Sequence, residues 1–358
     1  MKTEQLLNTD PFLFSEANRA LFLESLRETA NIHYDGNGFI KYLWDKNNFK
    51  PEDIISEKSL EDMPYTLVNL FKHHELLTGT HEDIALTLGS SGTGGQRSLI
   101  YLNQDSLDRV KKLAYTIHES LGMTSTKKYN YLCFTYDPAV ANDLGTAFTD
   151  ELLTSFTGIE EVFYTFKHDG NDFYFDEEGT VAKLKEFSKS EYSIRILGFP
   201  AFLYKIIQKY NLKLNLGEDS WVQTGGGWKG EADKEIDKAS FRELISSSLG
   251  IPKENIRDLF GMVEHGIPYV DCSDGHLRIP NYARVLIRDP KTLSVLPNGE
   301  VGLIQFICSY NTSYPAISLL TTDWGVKYSD DYSEYLEIKG RAGMTKNKGC
   351  AIKAAQML

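Results

Sequence analysis

Apolar side chains recur at helical spacing between 106 and 121, at Leu107, Val110, Leu113, Ala114 and Ile117, and Gly122 stands where such a helix would stop. Upstream, Ser15 is placed to cap a helix running to about Thr29, with Leu23 and Leu26 on one face. A further segment near 60–71 is interrupted by Pro64. Beyond residue 122 the pattern alternates. Runs at 129–136, 193–197, 221–224 and 256–260 predict strands, while 201–210 and 241–249 predict helices, the second stopped by Gly250 and Pro252. That order predicts an α/β fold with a mostly parallel sheet. From Tyr282 onward the chain is β-rich, with strands expected at 282–288, 301–309, 316–320 and 335–339 and turns at 289–290 and 297–299, as in a smaller antiparallel sheet or barrel. The charged, glycine-containing stretch 168–191 reads as a surface excursion. The expected division is a helical part at 1–80, an α/β core at 81–281, a β-rich part at 282–340 and a tail at 341–358.

Composition narrows the function. The 358 residues suffice for one large α/β unit or two domains. A net charge of −12 excludes a broad nucleic-acid face, which needs basic patches, but leaves room for a single nucleotide. No basic-then-apolar leader opens the chain and no apolar run reaches spanning length, so neither secretion nor a membrane span is expected. Cys133, Cys272, Cys308 and Cys350 are widely separated and form no disulfide framework, which points to a reducing cytoplasm. The oligomeric state is left open.

The run LeuGlySerSerGlyThrGlyGlyGlnArgSer (88–98) follows the apolar Ile84, Ala85 and Leu86 and reads as a strand opening into a loop. From Ser90 through Ser91, Gly92 and Thr93 to Gly94, each side chain is a hydroxyl or absent, so the loop can wrap N–H and hydroxyl groups around phosphate oxygens. It is not a Walker P-loop, because Gly95 and Gln96 stand where Lys-Ser/Thr would follow. By itself it is equally a hinge. Four motifs come after it in order. ThrGlyGlyGlyTrpLysGly (224–230) closes a strand with Gly225, Gly226 and Gly227, as expected where backbone lies flat against a planar ring. AspLeuPheGlyMetValGlu (258–264) ends a strand with a carboxylate, ThrThrAspTrpGly (321–325) places Asp323 after an apolar strand, and Gly340 and Arg341 follow the last strand. Each is weak alone, since an Asp after a strand is more often a turn former than a ligand.

Together and in this order they resemble the adenylate-forming superfamily of acyl-CoA synthetases, phenylacetate-CoA ligases and peptide-synthetase adenylation domains. The resemblance implies that Ser90, Ser91, Gly92, Thr93 and Gly94 hold ATP phosphates and that Gly225, Gly226 and Gly227 lie near adenine. It implies that Phe260, Gly261 and Met262 contact adenine, with Glu264 as the Mg²⁺ ligand, that Asp323 grips the ribose hydroxyls, and that Arg341 is the arginine of the GlyArg motif. A closer resemblance, over nearly the whole chain, is to the acyl-protein synthetases of bioluminescence fatty-acid reductase complexes. It is carried by MetProTyrThrLeuValAsnLeuPheLys (63–72), the Ser/Thr/Gly loop, ThrGlyGlyGlyTrpLys (224–229), IleArgAspLeuPhe (256–260), TyrAlaArg (282–284), SerTyrProAla (313–316) and LysGlyCysAla (348–351). It implies the fold of the adenylate-forming large domain, and transfer of the activated acyl group to Cys350.

Most superfamily members carry a mobile C-terminal domain whose lysine bridges phosphate and carboxylate. Residues 342–358 are too few to form it, so that role is expected to be absent or to fall to Lys346, Lys348 or Lys353. The implied reaction is ATP-dependent formation of an acyl-adenylate from a fatty or other apolar acid, with Thr93, Arg341 and Mg²⁺ on Glu264 neutralising charge, followed by capture on a thiolate. The three lysines would favour ionised Cys350, whereas Cys133 and Cys308 sit in apolar strand contexts that suit inert thiols. A protein acyl acceptor or acyl reductase is the implied partner. Two other readings remain: a phenylacetate-type acyl-CoA ligase, and a non-catalytic nucleotide-binding partner. His265, Cys272, His276 and Cys308 could hold a structural zinc if they met in space, but they form no recognised finger.

Overall fold

The computed structural model describes residues 1–90, 97–139, 145–170, 172–228, 235–331 and 333–341. The chain opens with helices α1 (Lys2–Leu6), α2 (Glu16–Gly36) and α3 (Gly38–Lys46). Ser15 caps α2, its Oγ accepting from the Asn18 N–H at 3.1 Å. The helix outlasts the expected end at Thr29 because its buried stripe Phe22, Leu26 and Ala30 continues through His33. A polar residue hides that continuation: the His33 ring is buried between Thr78 Oγ1 and Asn311 O, at 2.8 and 2.9 Å. The 60–71 segment is not one helix. Past Pro64 it becomes strand β1 (Thr66–Leu67), then the single turn α4 (Leu70–His73). A hairpin of β2 (Ile84–Gly89) and β3 (Leu99–Asn103) flanks the Ser/Thr/Gly loop. Helix α5 (Gln104–Ser120) follows, capped by Asn103 and burying Leu107, Val110, Leu113, Ala114 and Ile117, and Gly122 has φ 72° just beyond it.

The next stretch builds a seven-stranded sheet from β4 (Lys128–Tyr136), β5 (Gly158–His168), β6 (Phe173–Phe175), β7 (Ile194–Gly198), β8 (Trp221–Gly225), β9 (Ile256–Phe260) and β10 (Tyr269–Val270), in the order β10-β9-β8-β7-β4-β5-β6. The five inner strands are parallel and the edge strands antiparallel. Between them run α6 (Gly145–Thr154), α7 (Glu177–Phe187), α8 (Pro200–Tyr210) and α9 (Lys238–Leu249). On one face Leu132, Phe134, Ile194, Ile196, Val222 and Ile256 pack against α7, α8 and α9. On the other, Tyr131, Cys133 and Leu197 meet Leu153 of α6. The stretch 168–191 is therefore not a surface excursion. Asp176 caps α7, whose Val181, Leu184 and Phe187 are core residues spaced at i, i+3 and i+6 among charged neighbours.

The remaining strands are β11 (Leu277–Arg278), β12 (Ala283–Arg288), β13 (Val301–Cys308), β14 (Ser318–Ser329) and β15 (Glu334–Arg341), ordered β11-β15-β14-β13-β12 in an antiparallel sheet, with β1 added in parallel to β14. This sheet packs with α2, α3 and α5 in the larger core. β14 is longer than expected: Asp323 lies inside it, beside a register shift at Trp324/Gly325, and Arg341 is the last residue of β15 rather than beyond it. The arrangement is the α/β fold with a second, β-rich sheet that the pattern predicts.

Candidate active site

A cavity of about 260 Å³ lies where the two sheets, the hairpin and helices α4, α5 and α6 meet. Its charged pair is built by strand register. Asp323 and Arg341 are Cα partners across β14 and β15, and the guanidinium donates to both carboxylate oxygens, at 2.8 and 3.3 Å. Such a paired fork fixes the carboxylate plane. From the parallel sheet come backbone-lined walls at the strand ends: Gly198 after β7, Gly225 and Gly226 at β8, and Gly261 after β9. A Cβ on Gly225 would lie 3.1 Å from Leu259 O, and Gly226 has φ 75°, a conformation open to glycine and strained for other residues. Ser90 marks the base of the Ser/Thr/Gly loop, its N–H donating to Ser98 O and its Oγ accepting from the Ser98 N–H, both at 2.9 Å.

Glu264 is not at the end of a strand. β9 stops at Phe260, and Glu264 sits in a turn in which the His265 and Gly266 N–H groups both donate to Met262 O, at 3.1 and 2.9 Å. The turn packs so tightly under Tyr310 that a Cβ on Gly266 would fall 2.0 Å from its hydroxyl. Glu264 is only 6% exposed and lines the cavity, yet its carboxylate has no hydrogen bond or ion pair among the described residues. An unpartnered buried carboxylate is costly unless a ligand completes it. The oxygen donor, its burial and its place in the same cavity as Asp323 suit a hard cation shared with phosphate oxygens.

Much of the remaining lining is apolar, from Val110 and Ala114 of α5, Leu152 and Leu153 of α6, and Leu88 and Ile100 of the hairpin. Two polar pairs interrupt it. Thr135 Oγ1 donates to Asp150 Oδ2 at 2.6 Å, and burial pushes the Asp150 carboxyl up to about 7. His118 Nδ1 bonds Ala114 O at 2.7 Å and its Nε2 meets Gln223 Nε2 at 2.9 Å, with burial holding the ring down at about 4 and so neutral. Nothing in the linear pattern singled these residues out, since none belongs to a motif and the pairs join segments that lie far apart in the chain or on different elements.

The cavity thus gathers Ser90, Gly225, Gly226, Gly261, Met262, Glu264, Asp323 and Arg341. Phe260 and Gly227 do not line it; the Phe260 ring packs beside Phe306 and Tyr269, with centroids 6.0 and 6.3 Å away. Ser91, Gly92, Thr93, Gly94, Cys350 and the lysines at 346, 348 and 353 lie outside the described residues. Among the described cysteines, burial drives Cys133 well above the ordinary thiol range and Cys308 up to about 12. The four residues considered for zinc are not gathered, and the described residues contain no group of three or more metal-ligating side chains. His265 bonds Tyr269 Oη at 2.9 Å and stacks on Phe306, while His276 stacks on Tyr335.

A family model for acyl-protein synthetases, LuxE, matches residues 2–358. The chain belongs to that family. The long-chain-fatty-acid–luciferin-component ligase of Aliivibrio fischeri is 26% identical to this synthetase over 344 residues, spanning 93% of this chain and 87% of that protein. The ligase of the same name from Vibrio harveyi is 26% identical over 306 residues, spanning 84% and 79%. In fold the synthetase is similar to 2-hydroxyisobutyryl-CoA ligase. It matches the open conformation with 2-HIB-AMP and CoA at a TM-score of 0.69 and 14% identity, over 94% of this chain and 78% of that one. It matches the postadenylation state with 2-HIB-AMP at 0.67 and 16%, over 92% and 69%. Among the described residues no helix is long and apolar enough to cross a membrane.

Proposed function

We propose that this synthetase activates an apolar carboxylic acid with ATP and passes the acyl group through the adenylate to the Cys350 thiol. The observation that carries the reading is the mixed lining of one cavity. The Asp323–Arg341 pair, Glu264 and the strand-end glycines line it together with aliphatic side chains of α5 and α6. A nucleotide and an acyl chain held in that one cavity would have the alignment that an otherwise bimolecular step lacks.

In this reading Asp323 accepts hydrogen bonds from the ribose hydroxyls while Arg341 holds its plane, and the backbone at Gly225 and Gly226 borders adenine. Ser90 to Gly94, with Thr93 central, donate to the phosphates. Glu264 holds Mg²⁺, which when bound offsets charge on the phosphate oxygens. An acid oxygen bonds to the α-phosphorus and the bond to the β-phosphate oxygen breaks, releasing pyrophosphate. The Cys350 thiolate then attacks the acyl carbon, forming the C–S bond as AMP leaves. The deep burial of Cys133 and Cys308 disfavours their thiolates and supports the assignment to Cys350. A protein acceptor or acyl reductase would receive the acyl group next.

Acid-dependent ATP–pyrophosphate exchange across a panel of carboxylic acids tests the first half. Exchange with none of them refutes it. For the second half, Cys350→Ser should keep exchange and lose the hydroxylamine-sensitive acyl label. A label persisting on that variant overturns the role of Cys350, and CoA-dependent AMP release from it indicates an acyl-CoA ligase instead.

A further inference from the structure

The segment 63–72 carries part of the family resemblance, yet the reading above gives it no task. Its course is set by the edge of β14. β1 pairs with the first part of that edge, Thr66 opposite Leu319 and Leu67 opposite Leu320, and the Val68 N–H donates to Leu320 O at 3.0 Å. β15 pairs with the later part, from Asp323 opposite Arg341 to Ser329 opposite Glu334. Between these partners, at Thr321 and Thr322, the edge has no strand partner among the described residues, and the cavity lies against it, lined there by Val68, Asn69, Lys72, Thr322, Asp323 and Arg341. α4 is pinned in place, with Phe71 buried edge-on against Tyr314, centroids 6.0 Å apart, and Thr66 Oγ1 donating to Pro315 O at 3.1 Å. The next residue, Lys72, is half-buried and lines the cavity.

The charges make Lys72 informative. The described residues lining the cavity include two permanent cations, Lys72 and Arg341, and Arg341 is already committed to Asp323. The Lys72 ammonium has no hydrogen bond or ion pair among the described residues, although Glu264, Asp323 and Asp150 line the same cavity. A half-buried lysine anchored beside a buried aromatic, its ammonium without a partner among the described residues, is poised for an anionic ligand. The reaction brings two anions, a carboxylate and a polyphosphate, into one cleft, where their repulsion opposes bond formation.

Resting on the adenylation reading, we propose that Lys72 binds the carboxylate of the acid and holds it against the α-phosphate as the adenylate forms. Lys72 keeps its protons throughout. The acid oxygen supplies the electron pair for the new P–O bond, and pyrophosphate leaves with the pair from the bond that breaks. Once the carboxylate has become an acyl phosphate its charge is gone, so Lys72 matters to the first half-reaction and not to thioester formation.

Lys72→Met should lower acid-dependent pyrophosphate exchange about 100-fold, through kcat/KM for the acid, while KM for ATP moves by less than about threefold. Transfer from a synthetic acyl-adenylate to Cys350 should stay within about threefold of the parent chain. Lys72→Cys, inactive in exchange, should regain it when alkylated with 2-bromoethylamine, which rebuilds an ammonium at the same reach; the reagent also blocks Cys350 but leaves exchange readable. A Lys72→Met variant that exchanges like the parent, or alkylation that restores nothing, overturns the proposal. Absence of exchange in the parent with every acid instead defeats the adenylation reading itself.

Discussion

The two sheets that border the cavity contribute different chemistry. The parallel sheet offers chiefly backbone, at Gly198, Gly225, Gly226 and Gly261, because parallel strands end together and expose their C-terminal edge as a row of turns. The antiparallel sheet offers side chains from within its strands: Asp323 and Arg341 are cross-strand neighbours, held by the β14–β15 ladder and by their own hydrogen bonds. One site therefore combines an adaptable rim with a rigid charged pair. Glu264 is the charged exception, a carboxylate supplied from the parallel side by a turn locked under Tyr310, besides the polar Thr135 and Gln223.

The comparison can be broken in graded steps. Asp323→Ala should have the largest effect, lowering pyrophosphate exchange about 100-fold or more, since it removes the ribose acceptor of the proposed function and leaves Arg341 without its carboxylate. Glu264→Gln should raise the Mg²⁺ concentration needed for half-maximal exchange by about tenfold, read in a Mg²⁺ titration; an unchanged titration refutes the assignment. Gly226→Ala places a side chain at φ 75° and should cost about 1–2 kcal/mol of stability, with a matching fall in Tm. Phe260→Leu, whose ring faces Phe306 and not the cavity, should leave KM for ATP within about threefold, the smallest effect of the four.

Acid and base should act on the two polar pairs in opposite directions. Asp150, at about 7 in the fold against an ordinary value near 4, makes the folded chain bind more protons than the unfolded one between those values, so stability falls as pH rises through that window. His118, at about 4 against about 6.5, does the reverse, and stability falls as pH drops through its window. Asp150→Asn should therefore shrink the loss of Tm between about pH 5 and about pH 8 by a few degrees, and an undiminished loss would remove Asp150 as its source.

Much of this was legible locally. The stripe from Leu107 to Ile117 fixed α5, the run at 256–260 fixed β9, and the order of the glycine, Phe-Gly and Asp motifs identified the residues that the cavity brings together. Helix α7 was missed because its three core residues are outnumbered by charged ones, and burial of that stripe depends on a sheet assembled from distant segments.

Sequence by itself determined the α/β class and the main helices, because periodicity and turn chemistry act over a few residues, while the resemblance to the adenylate-forming superfamily singled out Asp323, Arg341 and Glu264 as candidates. Tertiary structure alone decided that Asp323 and Arg341 are partners inside strands, that Phe260 turns away from the cavity, and that the pairing of β1 with β14 brings Lys72 to the cavity. Those outcomes are matters of register between segments far apart in the chain, and register is set by which side chains pack in common, which no local pattern records.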